Sequence, residues 1–264
     1  MPSVLVAVCQ FAPTVDRAGN LARIAELTAD AASHGAQVVV LPEYASYFVD
    51  PMDASLAENA ETLDGEFVRA LRTAASAHGV TIVAGLVETA GDRVSNTLVA
   101  VDRDGVRATY RKQHLYDAFG QTESDWIAPG APGAVETFEI DGLRFGMMTC
   151  YDLRFPEVAR TLVDAGADVL VVPAEWVRGP LKEHHWTTLL AARAIENTAF
   201  VVAADHPAPI GVGRSQIIDP QGVVLAGLAS GVGIALAALD RAELERVRTV
   251  NPVLRLRRYA VVPR

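Results

Sequence analysis

The sequence has 264 residues, of which 50% are hydrophobic and 21% charged, so it can bury a substantial core, and a disordered chain is excluded. The formal net charge of −9 argues against nucleic acid as a partner, because nucleic-acid binding favours a basic face. Two cysteines make no disulfide framework, and no apolar run reaches the roughly 20 residues of a membrane helix. A cytoplasmic protein with free thiols and no membrane contact is expected.

The first third of the chain alternates strand and helix. Nearly continuous apolar runs predict strands that are covered on both faces. Asn20 is expected to cap the first helix and Gly35 to end it, and the second strand delivers Glu43 to its carboxyl end. The predicted elements are strand 4–11, helix 21–34, strand 37–41, helix 66–78 and strands 80–88 and 96–101.

Hairpin signals dominate the next part of the chain. Asp104–Gly105 and Asp141–Gly142 are tight-turn dipeptides between strand-like runs, a strand runs into Cys150, and Asp240 is expected to cap the last helix. The predicted elements are strand 143–149, helix 156–165, strand 168–172, helix 181–197 and strands 200–204, 215–218, 223–225 and 233–237.

The segment 113–134 is a long loop for a compact domain, and loops of that length are usually functional. The sequence shows no internal repeat and no low-complexity linker. These features predict a single α/β domain over residues 1–264, with a mixed sheet and an active-site loop near the middle of the chain.

Cys150 lies where a hydrophobic strand meets a helix. A side chain at such a turn points outward at the sheet's carboxyl edge, and the following backbone N–H groups can form an oxyanion hole. The alternative is a small hydrophobic core residue, which is what most free cysteines are. Cys9 lies inside the first predicted strand and is interpreted as such a buried thiol.

Glu43 and Lys112 are the other candidates for chemistry. Glu43 leaves a buried strand, where α/β enzymes place catalytic groups, and partial desolvation would suit a general base. The alternative for Glu43 is a surface carboxylate that caps a loop. Lys112 follows another strand, and by itself a lysine beside an arginine usually belongs to a solvated face.

The combination of these residues with their neighbours is more specific than any one of them. The chain resembles the nitrilase superfamily of carbon–nitrogen hydrolases, in which catalytic Glu, Lys and Cys occur in this order, and the resemblance extends from about residue 4 to residue 259. The stretches that carry it are 41–44 (LPEY), 110–115 (YRKQHL), 149–157 (TCYDLRFPE), 185–197 and 219–222 (DPQG).

The resemblance implies a four-layer α-β-β-α sandwich with mixed sheets, often assembled as a homodimer or higher homo-oligomer, and a hydrolase without a cofactor. It implies that Cys150 is the nucleophile, Glu43 the general base, and Lys112 a fixed charge for the oxyanion. The backbone N–H of Tyr151 would be the second oxyanion donor. Glu123 would be the family's second glutamate; the alternative is an ordinary loop carboxylate.

Arg154 and Trp176 are candidates for substrate binding. Arg154 either faces the cleft and binds a substrate carboxylate or pairs with Glu157 or another structural acid. Trp176 is similar to an aromatic residue that lines the family's pocket, but here it follows Ala174-Glu175, where many relatives have Gly-Ala or Ser-Ala before Phe.

The short single-domain form resembles the ω-amidases and deaminated-glutathione amidases, which cleave the terminal amide of small carboxylated compounds. N-carbamoyl amine or amino-acid hydrolysis is the first alternative, followed by nitrile hydrolysis and a non-catalytic binding protein. No metal site is expected, because the adjacent His184 and His185 point to different faces of a helix and no paired ligand motif occurs.

Overall fold

The computed structural model describes residues 3–264, over which the chain forms twelve strands and six α-helices. The strands are β1 (Ser3–Gln10), β2 (Val38–Val40), β3 (Thr81–Ala90), β4 (Arg93–Asp102), β5 (Gly105–Arg111), β6 (Thr137–Ile140), β7 (Leu143–Met147), β8 (Val169–Pro173), β9 (Phe200–Ala204), β10 (Gln216–Ile218), β11 (Val224–Gly227) and β12 (Gly233–Asp240). The helices are α1 (Arg17–Ser33), α2 (Ser55–Glu58), α3 (Glu66–His78), α4 (Pro156–Asp164), α5 (Lys182–Asn197) and α6 (Arg241–Val250).

The strands form two six-stranded mixed sheets. The first has the order β12-β1-β2-β3-β4-β5 and the second β11-β10-β9-β8-β7-β6. In the first sheet β1, β2 and β3 are parallel and the others antiparallel. In the second sheet the parallel strands are β7, β8 and β9. The carboxyl ends of the central parallel strands are therefore available for functional side chains in both sheets.

The two sheets pack face to face, and helices cover their outer faces. Period-two alternation sends Val6 and Val8 of β1 into the core shared with the second sheet, while Ala7 faces the helical side. Helices α1 and α3 pack on the first sheet, and α4 and α5 on the second. This is the four-layer α-β-β-α sandwich that the resemblance implies.

Most predicted elements occur within a few residues of their expected bounds, but the first helix cap was wrong. The helix begins at Arg17, and the Asp16 carboxylate caps it by accepting a hydrogen bond from the Gly19 N–H at 3.0 Å. Asn20 lies inside the helix with a buried side chain whose amide donates to the backbone carbonyls of Thr14 and Ser46. Asn20 therefore holds the adjoining loops together and does not cap the helix.

No helix within residues 3–264 is long and apolar enough to cross a membrane.

Candidate active site

Cys150 lies at a sharp turn after β7 and begins a short 3₁₀ helix, Cys150–Arg154. Its φ of 43° is in the left-handed region, which is strained for a residue with a side chain and is typical of nucleophiles at strand-to-helix turns. The residue is only 6% exposed, and its thiol donates a hydrogen bond to the Glu175 carbonyl oxygen at 3.3 Å. Cys150 also lines a narrow cavity.

Glu43 follows β2 and is held in place by a close backbone approach from β3. A Cβ atom on Gly85 would lie 2.3 Å from the Tyr44 nitrogen, so only glycine permits this contact. The Glu43 carboxylate accepts hydrogen bonds from Asn96 Nδ2 at 2.6 Å and from the Glu175 N–H at 2.6 Å. The Glu43 carboxylate is thus bonded to the backbone N–H of Glu175, and the carbonyl oxygen of the same residue bonds the Cys150 thiol.

Lys112, directly after β5, pairs with two carboxylates. Its Nζ lies 2.9 Å from Glu43 Oε1 and 2.9 Å from Glu123 Oε2, and all three side chains are almost fully buried. Burial lowers the pKa of Lys112, but Glu123 and Glu43 more than offset that effect and hold the pKa well above its ordinary value. Burial similarly raises the pKa of Glu123, and Lys112 reverses it to a net lowering. A charged lysine is therefore fixed beside Glu43.

Glu123 has further partners that fix its position in the long loop. Its Oε1 accepts a hydrogen bond from the Tyr44 hydroxyl at 2.6 Å, and its Oε2 accepts one from the Tyr116 N–H at 2.6 Å. Tyr44 belongs to the same stretch as Glu43, so Glu123 connects the loop to both Glu43 and Lys112.

The surroundings of Cys150 favour the uncharged thiol over the thiolate. Burial and the nearby Glu43 raise its pKa well above the ordinary value, and the opposing effect of Lys112 is smaller. A thiol is a weak nucleophile compared with a thiolate. A base that accepts this proton would activate the thiol, and Glu43 is the carboxylate joined to Cys150 through the Glu175 backbone.

Asp152 connects the Cys150 turn to the end of β5. Its Oδ2 accepts hydrogen bonds from the Thr149 N–H at 3.1 Å and the Tyr110 hydroxyl at 2.8 Å. Its Oδ1 accepts one from the His114 N–H at 2.9 Å. Asp152 occurs within the motif TCYDLRFPE, and its place two residues after Cys150 was the available signal.

Two cationic side chains lie on the wall of the Cys150 cavity, together with Tyr151 and Trp176. The Arg154 guanidinium lies 4.8 Å from the centroid of the Trp176 ring, a cation–π contact. Lys182, which the sequence analysis did not identify, donates a hydrogen bond to the Tyr116 hydroxyl at 2.6 Å. Neither cation forms an ion pair with a carboxylate within residues 3–264, so the expected alternative for Arg154, a pair with Glu157, does not occur there.

Asp205 and His206 follow β9 and bond the backbone of Trp176 and of Glu43, respectively. Neither residue was predicted from the sequence. The Asp205 carboxylate accepts a hydrogen bond from the Trp176 N–H at 2.7 Å. His206 Nε2 lies 2.8 Å from the Glu43 carbonyl oxygen, which can only accept, so this nitrogen carries the proton. Burial lowers the pKa of His206 to about 4. No local motif marks either residue.

Within residues 3–264 no three His, Cys, Asp or Glu side chains are grouped so that they could hold a metal ion. Of the acidic groups of this site, Glu43 and Glu123 bind Lys112 and Asp205 accepts a hydrogen bond from the Trp176 N–H.

Residues 5–249 match the model of the carbon–nitrogen hydrolase family. The chain belongs to the carbon–nitrogen hydrolase family. It is also 42% identical over 259 residues to a protein named deaminated glutathione amidase from Escherichia coli O157:H7, covering 97% of this chain and 98% of that one. This similarity confirms the expected branch of the superfamily.

Two solved structures extend the comparison. A carbon–nitrogen hydrolase superfamily protein from Xanthomonas campestris, described with an arsenic adduct in its active site, superimposes with a TM-score of 0.88 at 26% identity, covering 100% of both chains. An amidase from Nesterenkonia sp. AN1, described as showing the result of Michael addition of acrylamide at its active-site cysteine, has a TM-score of 0.80 at 26% identity, covering 92% of this chain and 98% of that one. The expected fold and enzyme class of this carbon–nitrogen hydrolase are thus confirmed, while the roles of individual residues stay predictions.

Proposed function

We propose that this carbon–nitrogen hydrolase cleaves the terminal, non-peptide amide of a small carboxylated compound, releasing ammonia through a cysteine thioester. The observation that carries the proposal is the composition of the Cys150 cavity. Arg154 and Lys182 lie on its wall beside the nucleophile, and within residues 3–264 they bond to His185 and Tyr116 and to no carboxylate. Lys182 is buried and Arg154 is half-buried, and a buried cation is costly unless a ligand supplies the anion.

The first half of the proposed reaction forms the acyl-enzyme. Glu43 takes the thiol proton of Cys150, and the sulfur attacks the amide carbon to give a tetrahedral oxyanion. Lys112 and the Tyr151 N–H stabilise that oxyanion. Glu43 then gives its proton to the nitrogen, the C–N bond breaks, and ammonia leaves behind a thioester on Cys150.

The second half hydrolyses the thioester. Glu43, again a carboxylate, takes a proton from a water molecule, and the resulting hydroxide attacks the thioester carbon. Collapse of the second tetrahedral oxyanion breaks the C–S bond, releases the carboxylic acid and returns the proton to Cys150. Glu123 takes no part in proton transfer; it positions Lys112, which its 2.9 Å contact with the Lys112 Nζ supports.

The reaction itself is tested by a screen for ammonia release over ω-amides of dicarboxylic acids, N-carbamoyl amines, N-carbamoyl amino acids, aliphatic amides and nitriles. Wild type is expected to act best on the ω-amides. Cys150→Ala should abolish turnover and remain folded, whereas Cys9→Ala should retain it, because Cys9 is fully buried inside β1. A Cys150→Ala enzyme that keeps turnover within about tenfold of wild type would refute the nucleophile assignment.

The role of Arg154 is tested by comparing an ω-amide that has a free carboxylate with its methyl ester. Wild type should prefer the acid by about ten- to a hundredfold in kcat/KM, the effect of one charge-assisted hydrogen bond. Arg154→Met should lose most of that preference. Equal turnover of acid and ester by wild type would contradict the carboxylate requirement. An unchanged preference in Arg154→Met would show that Arg154 does not bind the substrate carboxylate.

We also propose that residues 1–264 form one domain that assembles as a homodimer in the cytoplasm. Exposed apolar side chains at and beside the edge strand β11, namely Val223, Val224 and Leu225, support self-association. The free thiols of Cys9 and Cys150 support a reducing compartment. Light scattering on the purified protein tests the assembly: a mass of one chain at micromolar concentration would contradict it.

A further inference from the structure

Glu175 lies on the wall of the Cys150 cavity, and its side chain carries a carboxyl group. Its backbone is already engaged, since its N–H bonds Glu43 and its carbonyl oxygen bonds the Cys150 thiol. The residue is only 8% exposed, and within residues 3–264 its Oε1 is buried without a hydrogen-bond partner. A buried carboxyl oxygen without a partner is costly. The position is also where the sequence departs from the family's common form.

Glu175 lines this cavity together with the cations Arg154 and Lys182, yet its carboxyl group pairs with neither. Each cation is held elsewhere, Arg154 over the Trp176 ring and Lys182 on the Tyr116 hydroxyl. One acid and two bases therefore line a single small cavity as separate groups. A ligand that carries both a carboxylate and a cation on neighbouring atoms would satisfy all three.

Glu175 also lines a second cavity of about 210 Å³, and Tyr116 and Val177 belong to both cavities as well. The second cavity is lined by Asp50 and Asp125 as well as Glu175, and by no Lys, Arg or His side chain within residues 3–264. Burial raises the pKa of Glu175 well above its ordinary value, and Glu43 and Asp205 raise it further. The same acidic surroundings favour an approaching cation, whose charge would stabilise the ionised Glu175.

We propose that Glu175 determines specificity by binding an ammonium group on the carbon that also carries the substrate carboxylate. The preferred substrates would then be ω-amides of α-amino acids, with the carboxylate on Arg154 and Lys182 and the ammonium on Glu175. This inference rests on the proposed function, because it concerns the substrate of that same reaction. Glu175 does not transfer the reacting proton; it orients the substrate relative to Cys150.

The test uses three ω-monoamides of pentanedioic acid that differ only at carbon 2, which carries an amino group, an oxo group or two hydrogens. Ammonia release gives kcat/KM for each. Wild type should prefer the 2-amino compound over the unsubstituted one by about tenfold or more, as expected for a charged hydrogen bond. Glu175→Gln should lose most of that ratio, and Glu175→Asp, which keeps the charge, should retain part of it.

Glu183→Gln is the matched control, because Glu183 is an exposed carboxylate on α5 that pairs with Arg214 at 3.1 Å. It should keep the wild-type ratio. Wild-type preference for the 2-oxo compound, or a ratio unchanged in both Glu175 variants, would overturn the inference while leaving the proposed function intact. Failure of wild type to release ammonia from all three amides would overturn the proposed function itself. Thermal unfolding of each variant identifies any that fails to fold, and the ratio from the other Glu175 variant then decides.

Discussion

The buried histidine behind Glu43 makes the protein's stability depend on pH. The pKa of His206 falls from 6.5 to about 4 on folding because the ring is fully buried. Between those two values the unfolded chain binds a proton that the folded protein does not, so stability is full above pH 6.5 and is lost as the pH falls toward 4. The gap corresponds to about 3 kcal/mol in total, of which about 2 kcal/mol is lost between pH 7 and pH 4.5.

The perturbation is His206→Gln, whose side-chain amide can still donate to the Glu43 carbonyl oxygen but does not titrate. Urea unfolding of both proteins at pH 7 and pH 4.5 gives the free energy of unfolding at each pH. The loss on acidification should be smaller in the variant by about 2 kcal/mol. Subtracting the two losses removes the contribution of groups that titrate in both proteins.

The exposed His78 provides the control, and His78→Gln should retain the wild-type pH dependence. The reasoning is refuted if wild type and His206→Gln lose the same free energy between pH 7 and pH 4.5. A reduced overall stability of the variant at pH 7 does not affect that comparison, because only the change with pH is used.

Glu43→Gln and Lys112→Ala should each lower kcat by about a hundredfold or more, since each removes charge handling in the transition state; steady-state kinetics that show a change in KM alone would contradict these roles. Glu123→Gln should lower kcat less than Glu43→Gln does, because Glu123 orients Lys112, and an equal loss in the same assay would mean that Glu123 takes part in the chemistry. Trp186→Ala should lower the free energy of unfolding by about 3–5 kcal/mol, because the ring is fully buried and bonds the Arg214 carbonyl; denaturant unfolding that gives less than about 1 kcal/mol would contradict this.

Local pattern was sufficient for most of the fold. The bounds of α3 agree with the predicted helix at both ends, where periodic apolar residues lead up to Gly79 in the left-handed conformation. Asp240 caps α6 as predicted, and the Asp104–Gly105 turn joins β4 to β5. The helix α2 was not predicted, because a single turn of four residues has too little periodicity to detect.

The candidate site was only partly accessible from sequence. Motifs identified Glu43, Lys112 and Cys150, which the structure brings together at the strand ends of two sheets. The side chains that hold them, such as Asn96 and His206, act through contacts between segments 53 and 163 residues apart. Such contacts depend on how the sheets pack, and no local spacing predicts them. The predicted cap at Asn20 was wrong for the same reason, since the buried partners of Asn20 lie in other loops.

The position of the last strand has a consequence for how the protein is made. β12 pairs with β1 along its whole length, from Ser3 opposite Asp240 to Gln10 opposite Gly233, whereas every other strand of that sheet lies within residues 3–111. During synthesis the apolar edge of β1 therefore stays open until about nine-tenths of the chain has left the ribosome. An open apolar edge is a template for association with other chains. We therefore expect translation that stops before Gly233 to yield chains that expose this edge of β1 and associate with other chains.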